Sequence, residues 1–188
     1  MNLIKKIFVL LFAGTLNKNT LPNQETSTIT AKDKQSIFIK TYLKPNLKAH
    51  GYSTNAQTWW RDNGDFFIII NLQNFSWNTR NNVDFCFNIG IALKSKIKDF
   101  SKKPTHFDLT VRIREGAYLS ESRKTTRYRS KAGYSIDQST NLDDFIMEAK
   151  FDFEDEILPT LGKLKTITDC LDFYGNMPFW GSQLKKLL

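Results

Sequence analysis

Two cysteines, two histidines and five prolines are all that the 188-residue chain contains of those types. So few cysteines exclude a scaffold held together by disulfides. Neither His50 nor His106 has a second His, Cys or carboxylate at ligand spacing, so no zinc motif is present and no metal or cofactor is expected. The nine glycines form no phosphate-cradling loop, and there is no nucleophile elbow. No apolar run approaches the ~20 residues of a bilayer-spanning helix. The composition is 40% hydrophobic and 24% charged, which is too apolar for a disordered chain and implies one packed domain.

Charge is plentiful but uneven. Lys and Arg number 27 against 19 Asp and Glu, a formal charge of +8. Residues 91–137 carry twelve cations against five anions, and residues 138–188 carry five against nine. The basic stretch can attract phosphates, or it can be a solvated surface. Single-strand binding also wants aromatics among the cations, and only Tyr128, between Arg127 and Arg129, offers one.

Lys5 and Lys6 precede the apolar run at 7–13, and the small residues Ala13, Gly14 and Thr15 follow, which is the order of a secretory signal. Residues 1–15 are therefore expected to be an export signal, 16–32 a polar linker and 33–188 the domain. The alternative is an N-terminal helix of a cytoplasmic protein. Export would place Cys86 and Cys170 where they can be oxidised.

Apolar residues at 38, 39, 42, 43 and 47 predict a helix over 33–50, bent near Lys44 by Pro45. Asn63-Gly64, between two apolar runs, predicts a tight hairpin with a two-residue turn. Val83, Phe85, Phe87, Ile89, Ile91 and Leu93 alternate with polar or small residues, as do Phe107, Leu109, Val111 and Ile113, and a further strand is expected within 128–136. Residues 141–161 return to helical spacing, with Pro159 kinking the last turn. Thr166 and Asp169 have the spacing of a capping box for a short helix. These elements predict an α+β fold: an antiparallel sheet of about five strands with helices on its one apolar face.

No catalytic residues stand out, so an enzyme is not expected. Cys86, between Phe85 and Phe87, suits a buried inert thiol. Asp152, Glu154, Asp155 and Glu156 form an acidic run that reads as the solvated face of the long helix. One constellation is more suggestive. Strand alternation places Asn71, Gln73, Asn88, Thr110, Arg112 and Arg114 on the sheet face away from the helices, and Trp59 and Arg61 across the hairpin would add an aromatic ring and a cation. Such a face suits recognition, because Arg forks bind acceptors bidentately and Trp supplies contact area. A solvated sheet face also carries polar residues, but Asn and Gln are poor strand formers and call for a reason.

The segment Tyr42-Leu43-Lys44-Pro45-Asn46-Leu47-Lys48-Ala49-His50-Gly51-Tyr52, then Thr58-Trp59-Trp60-Arg61-Asp62 and Ile70-Asn71-Leu72-Gln73, resembles a bacterial family of domains of unknown function. Its pattern continues in Phe87-Asn88-Ile89-Gly90-Ile91, in Arg112-Ile113-Arg114 and in Ile157-Leu158-Pro159-Thr160-Leu161, with Glu115 standing where members often have Gly. The resemblance spans about residues 37–165 and implies the architecture, with no activity attached. Two function classes follow from the residues. One is a binding module that uses the polar sheet face to hold a protein or an acidic ligand. The other is nucleic-acid binding through residues 91–137.

Overall fold

The computed structural model describes residues 29–99 and 102–188. The expected signal lies outside them, as does most of the expected linker. The first helix, α1, runs continuously through Ala31–Phe38, Ile39–Leu43 and Lys44–Ala49, so it begins inside the segment expected as linker. Thr30 fixes its start: its hydroxyl accepts the Asp33 N–H while the Asp33 carboxylate accepts the Thr30 N–H.

Pro45 does not end this helix. A proline lacks the N–H of a helical turn and its ring crowds the carbonyl four residues back. Here Ile39–Leu43 widens into a π turn, and Lys44, just before the proline, donates to the Ile39 carbonyl five residues back. The long helix α2 repeats the device. It passes through Leu142–Lys150, a π segment Phe151–Ile157 and Leu158–Lys163, with Leu158 donating to the Phe153 carbonyl immediately before Pro159. Asn141 caps its start by accepting the Asp143 and Asp144 N–H groups. Helix α3, Ile167–Tyr174, opens on the Thr166–Asp169 capping box, and α4 is Trp180–Leu187.

Among the described residues seven antiparallel strands form one sheet: β1 (Ser53–Asn55), β2 (Thr58–Asp62), β3 (Phe66–Asn74), β4 (Asn82–Leu93), β5 (Val111–Arg114), β6 (Arg129–Ser130) and β7 (Gly133–Asp137). The order is β1-β2-β3-β4-β7-β6, with β5 also on β4. At twelve residues β4 is long enough to take two partners along one edge. Phe85 faces Tyr134 of β7, and Asn88 faces Arg114 of β5. The fold is thus α+β, as the alternation implies, with two more strands than expected: β1 adds an edge strand, and the 128–136 strand is a short hairpin of β6 and β7.

Directly opposed residues share a face. Ile68 opposes Ile91, Ile70 opposes Ile89, and Ile89 opposes Ile113, so one apolar face is continuous across β3, β4 and β5. Phe38, Phe85, Phe87, Tyr134, Phe145 and Phe153 lock the helices to it through edge and stacked ring contacts at 5.0–6.2 Å. Lys34 is buried in this layer, and its ammonium donates to the carbonyls of Asp137, Gln138 and Thr140, using its whole donor capacity.

Two local expectations are corrected. The β2–β3 hairpin forms, but residues 63–65 separate the strands and only Gly64 takes a positive φ, +82°. Asn63 instead donates its side-chain amide to the Leu164 carbonyl, tying the hairpin to the end of α2. The strand expected from Phe107 begins only at Val111. Thr105 and Asp108 cap a single helical turn at His106–Asp108, which leaves Phe107 85% exposed.

Candidate functional site

Across the face opposite the core, Thr58, Asn71, Asn88 and Arg114 lie in one row over four strands. Asn71 donates to the Thr58 hydroxyl at 2.9 Å, and Asn88 donates to Gln73 Oε1 at 2.9 Å. Both asparagines are buried, so their weak strand propensity is offset by lateral side-chain bonds within the row. Asn71 thus bonds laterally within the sheet and does not line the hollow formed by Gln73, Asn88, Arg112 and Arg114.

Gln73, Asn88, Arg112 and Arg114 border a concavity of about 370 Å³ whose wall is Trp180 of α4, a helix packed beside β5. The Arg114 guanidinium lies 5.5 Å from the centre of the Phe75 ring and also donates to Cys86 Sγ. Phe75 stacks on Trp77 at 4.5 Å with 4° between planes, and the 60% exposed Trp77 donates to Asp84 Oδ2. Arg114 also lines two neighbouring hollows. One, of about 240 Å³, includes Phe75, Glu115, Arg129 and Lys131, and the other, of about 510 Å³, includes Lys124 and Lys131. Arg112 and Arg114 are exposed, and neither meets a carboxylate among the described residues.

Arg114 is followed in sequence by a buried acid. Glu115 fills the gap between β5 and β7, where its carboxylate accepts the Phe87 N–H at 2.7 Å and the Arg129 guanidinium at 3.0 Å. Burial pushes the Glu115 carboxyl above its ordinary value of 4.5, against the opposing pull of Arg129 and the Phe87 N–H. Arg129 continues to Asp152, which also accepts Tyr134 Oη at 2.7 Å and Arg123 Nε at 2.8 Å. Arg123 donates to the Glu148 carbonyl, and the Glu148 carboxylate lies 2.8 Å away without an aligned bond. Asp152 is fully buried, which corrects the expectation that the acidic run is wholly solvated. Its position carried the signal, because it falls seven residues after Phe145 and three after Ala149, on the buried stripe of α2.

Of the expected constellation, the structure brings Gln73, Asn88, Arg112 and Arg114 to one hollow. Trp59 and Arg61 are on the other face. The register sets Trp59 opposite Ile70 and Arg61 opposite Ile68, so Trp59 is buried in the core and Arg61 donates to the Leu161 carbonyl. Thr110 precedes β5, accepts the Leu93 N–H at 3.0 Å and lines a different hollow. Sequence reasoning did not anticipate Phe75 and Trp77, whose signal is two aromatics in a polar loop, or Trp180, which only the path of the C-terminal helix places here.

Among the described residues no group of three or more His, Cys, Asp or Glu is placed to hold a metal, and no helix is long and apolar enough to cross a membrane. Cys86 and Cys170 are both buried and unpaired. No match was found among curated proteins or among solved structures. A family model does match, over residues 43–163, which include both α2 and the strands that carry the arginines. The chain belongs to the family described as Domain of unknown function (DUF4304).

Proposed function

We propose that this domain is a binding module that holds an acidic segment of a partner protein in the groove around Arg112 and Arg114. The observation that carries this reading is the pair of exposed guanidiniums with no carboxylate partner among the described residues, bordered by side-chain amides and flanked by the exposed Trp77 and the half-buried Trp180. Planar guanidinium forks suit carboxylates, the Gln73 amide suits a peptide backbone, and Trp77 and Trp180 supply apolar contact. The hollows that share Arg114 extend the groove, which favours an extended ligand over a compact one.

Binding of nucleic acid through 91–137 draws less support. Lys94, Lys102, Arg123, Lys124 and Arg129 are already paired with carboxylates, and Tyr128 is buried against Phe145. The test is fluorescence anisotropy with a labelled Glu-rich peptide and, separately, a labelled single-stranded oligonucleotide. Peptide binding that falls about tenfold, or ~1.4 kcal/mol, in the Arg112→Ala/Arg114→Ala double variant is expected. Equal peptide binding by variant and wild type would refute the proposal. Tight oligonucleotide binding with a steep salt dependence would favour the other reading.

A further inference from the structure

A second cavity, of about 580 Å³, lies at the β1 edge of the sheet, away from Arg114. Tyr52, Trp59 and Trp60 form its walls, and Lys44, Lys48 and Lys103 stand around it. Lys44 and Lys48 are one turn apart on the last segment of α1, hence on one face, and Lys103 comes from the loop before β5. None of the three makes an ion pair among the described residues, and no carboxylate lines the cavity. Trp60 is half-buried and leaves part of its indole open, while Trp59 Nε1 is buried with no acceptor among the described residues.

Three like charges around one hollow repel one another, and an anion seated among them relieves that repulsion. Lysines supply compact point charges, suited to phosphate more than to the bidentate carboxylate contacts that arginines make. An open indole offers a flat face for stacking a planar ring. The volume falls in the ~300–1,000 Å³ range of small-molecule sites. We infer that this cavity binds a small molecule joining a planar ring to a phosphate chain, of the nucleoside di- or triphosphate class. Lysines beside an edge strand also discourage a second strand from docking. That role requires neither the cavity nor the open face of Trp60, and a ligand titration separates the two.

The experiment is isothermal titration of the full chain with ATP, sodium tripolyphosphate and adenosine, each to about 1 mM. ATP is expected to bind once per chain, tripolyphosphate at least about fivefold more weakly, and adenosine not measurably. Lys48→Gln and Lys103→Gln should each weaken ATP by about threefold or more and flatten its salt dependence. Trp60→Ala should weaken ATP while leaving tripolyphosphate unchanged, and that retained binding also shows that the variant is folded. No ATP binding by the intact chain, wild-type affinity in both lysine variants, or tripolyphosphate binding as tightly as ATP would each overturn the inference. So would ATP binding that is lost in the Arg112→Ala/Arg114→Ala variant and kept in the lysine variants, since the ligand would then occupy the other groove.

Discussion

Replacing Asp152 by Ala should destabilise the protein by about 3–5 kcal/mol, the cost of breaking a buried ion pair by removing one partner. Asp152 is fully buried and accepts from Tyr134, Arg123 and Arg129. Its loss leaves the Tyr134 hydroxyl without an acceptor inside the core, which alone costs roughly 1–3 kcal/mol. It also leaves Arg129, whose side chain is 4% exposed, with Glu115 as its one remaining ion-pair partner among the described residues. With a urea m-value of about 2 kcal/mol/M, a loss of ~4 kcal/mol moves the unfolding midpoint down by about 2 M. Asp155, three residues on and exposed, is the internal control, and Asp155→Ala should change stability by no more than about 0.5 kcal/mol. Asp152→Asn keeps the shape and one acceptor oxygen for Tyr134 but not the charge, so it should also be destabilised, by less than the Ala variant. Urea melts at pH 7 followed by Trp fluorescence make the measurement. A midpoint shift under about 0.5 M for Asp152→Ala, with m unchanged, would refute the view that this carboxylate organises the interior.

Glu115→Gln tests the same network through pH. A carboxyl whose folded pKa is raised contributes stability below its unfolded pKa, and that contribution is lost as pH rises through the folded value. The stability of wild type minus Glu115→Gln should therefore decline as pH rises above 4.5, and urea melts showing a difference that grows with pH would contradict it. Gly90→Ala probes the β4–β5 seam, because a Cβ there would stand 1.8 Å from the Val111 carbonyl oxygen and 2.7 Å from its carbon. Backbone must move to admit it, so a loss of about 3 kcal/mol is expected, and a thermal or urea melt showing less than about 1 kcal/mol would count against that packing.

The fold was legible wherever one local period sufficed. Alternation assigned the faces of β3 and β4 residue by residue, and it put Gln73, Asn88, Arg112 and Arg114 on the side they share. It could not supply the register of β2 against β3, which decides that Trp59 and Arg61 turn to the core. It also overran at Phe107, where Thr105 and Asp108 bond to nearby backbone groups and close a helical turn in place of a ladder. Charge was the least legible property, because the buried ion pairs join residues far apart in sequence. Asp152 belongs to an acidic run and Arg129 to a basic one, yet the Arg129 side chain is buried between Asp152 and Glu115. The same pairing leaves seven of the twelve cations of the basic stretch without an ion pair among the described residues. Arg112 and Arg114 are exposed among them because their strand turns them away from the helices that carry the acidic residues. An excess of charge read from sequence therefore overstates the surface available to an anion, and burial and pairing determine which cations remain to bind one.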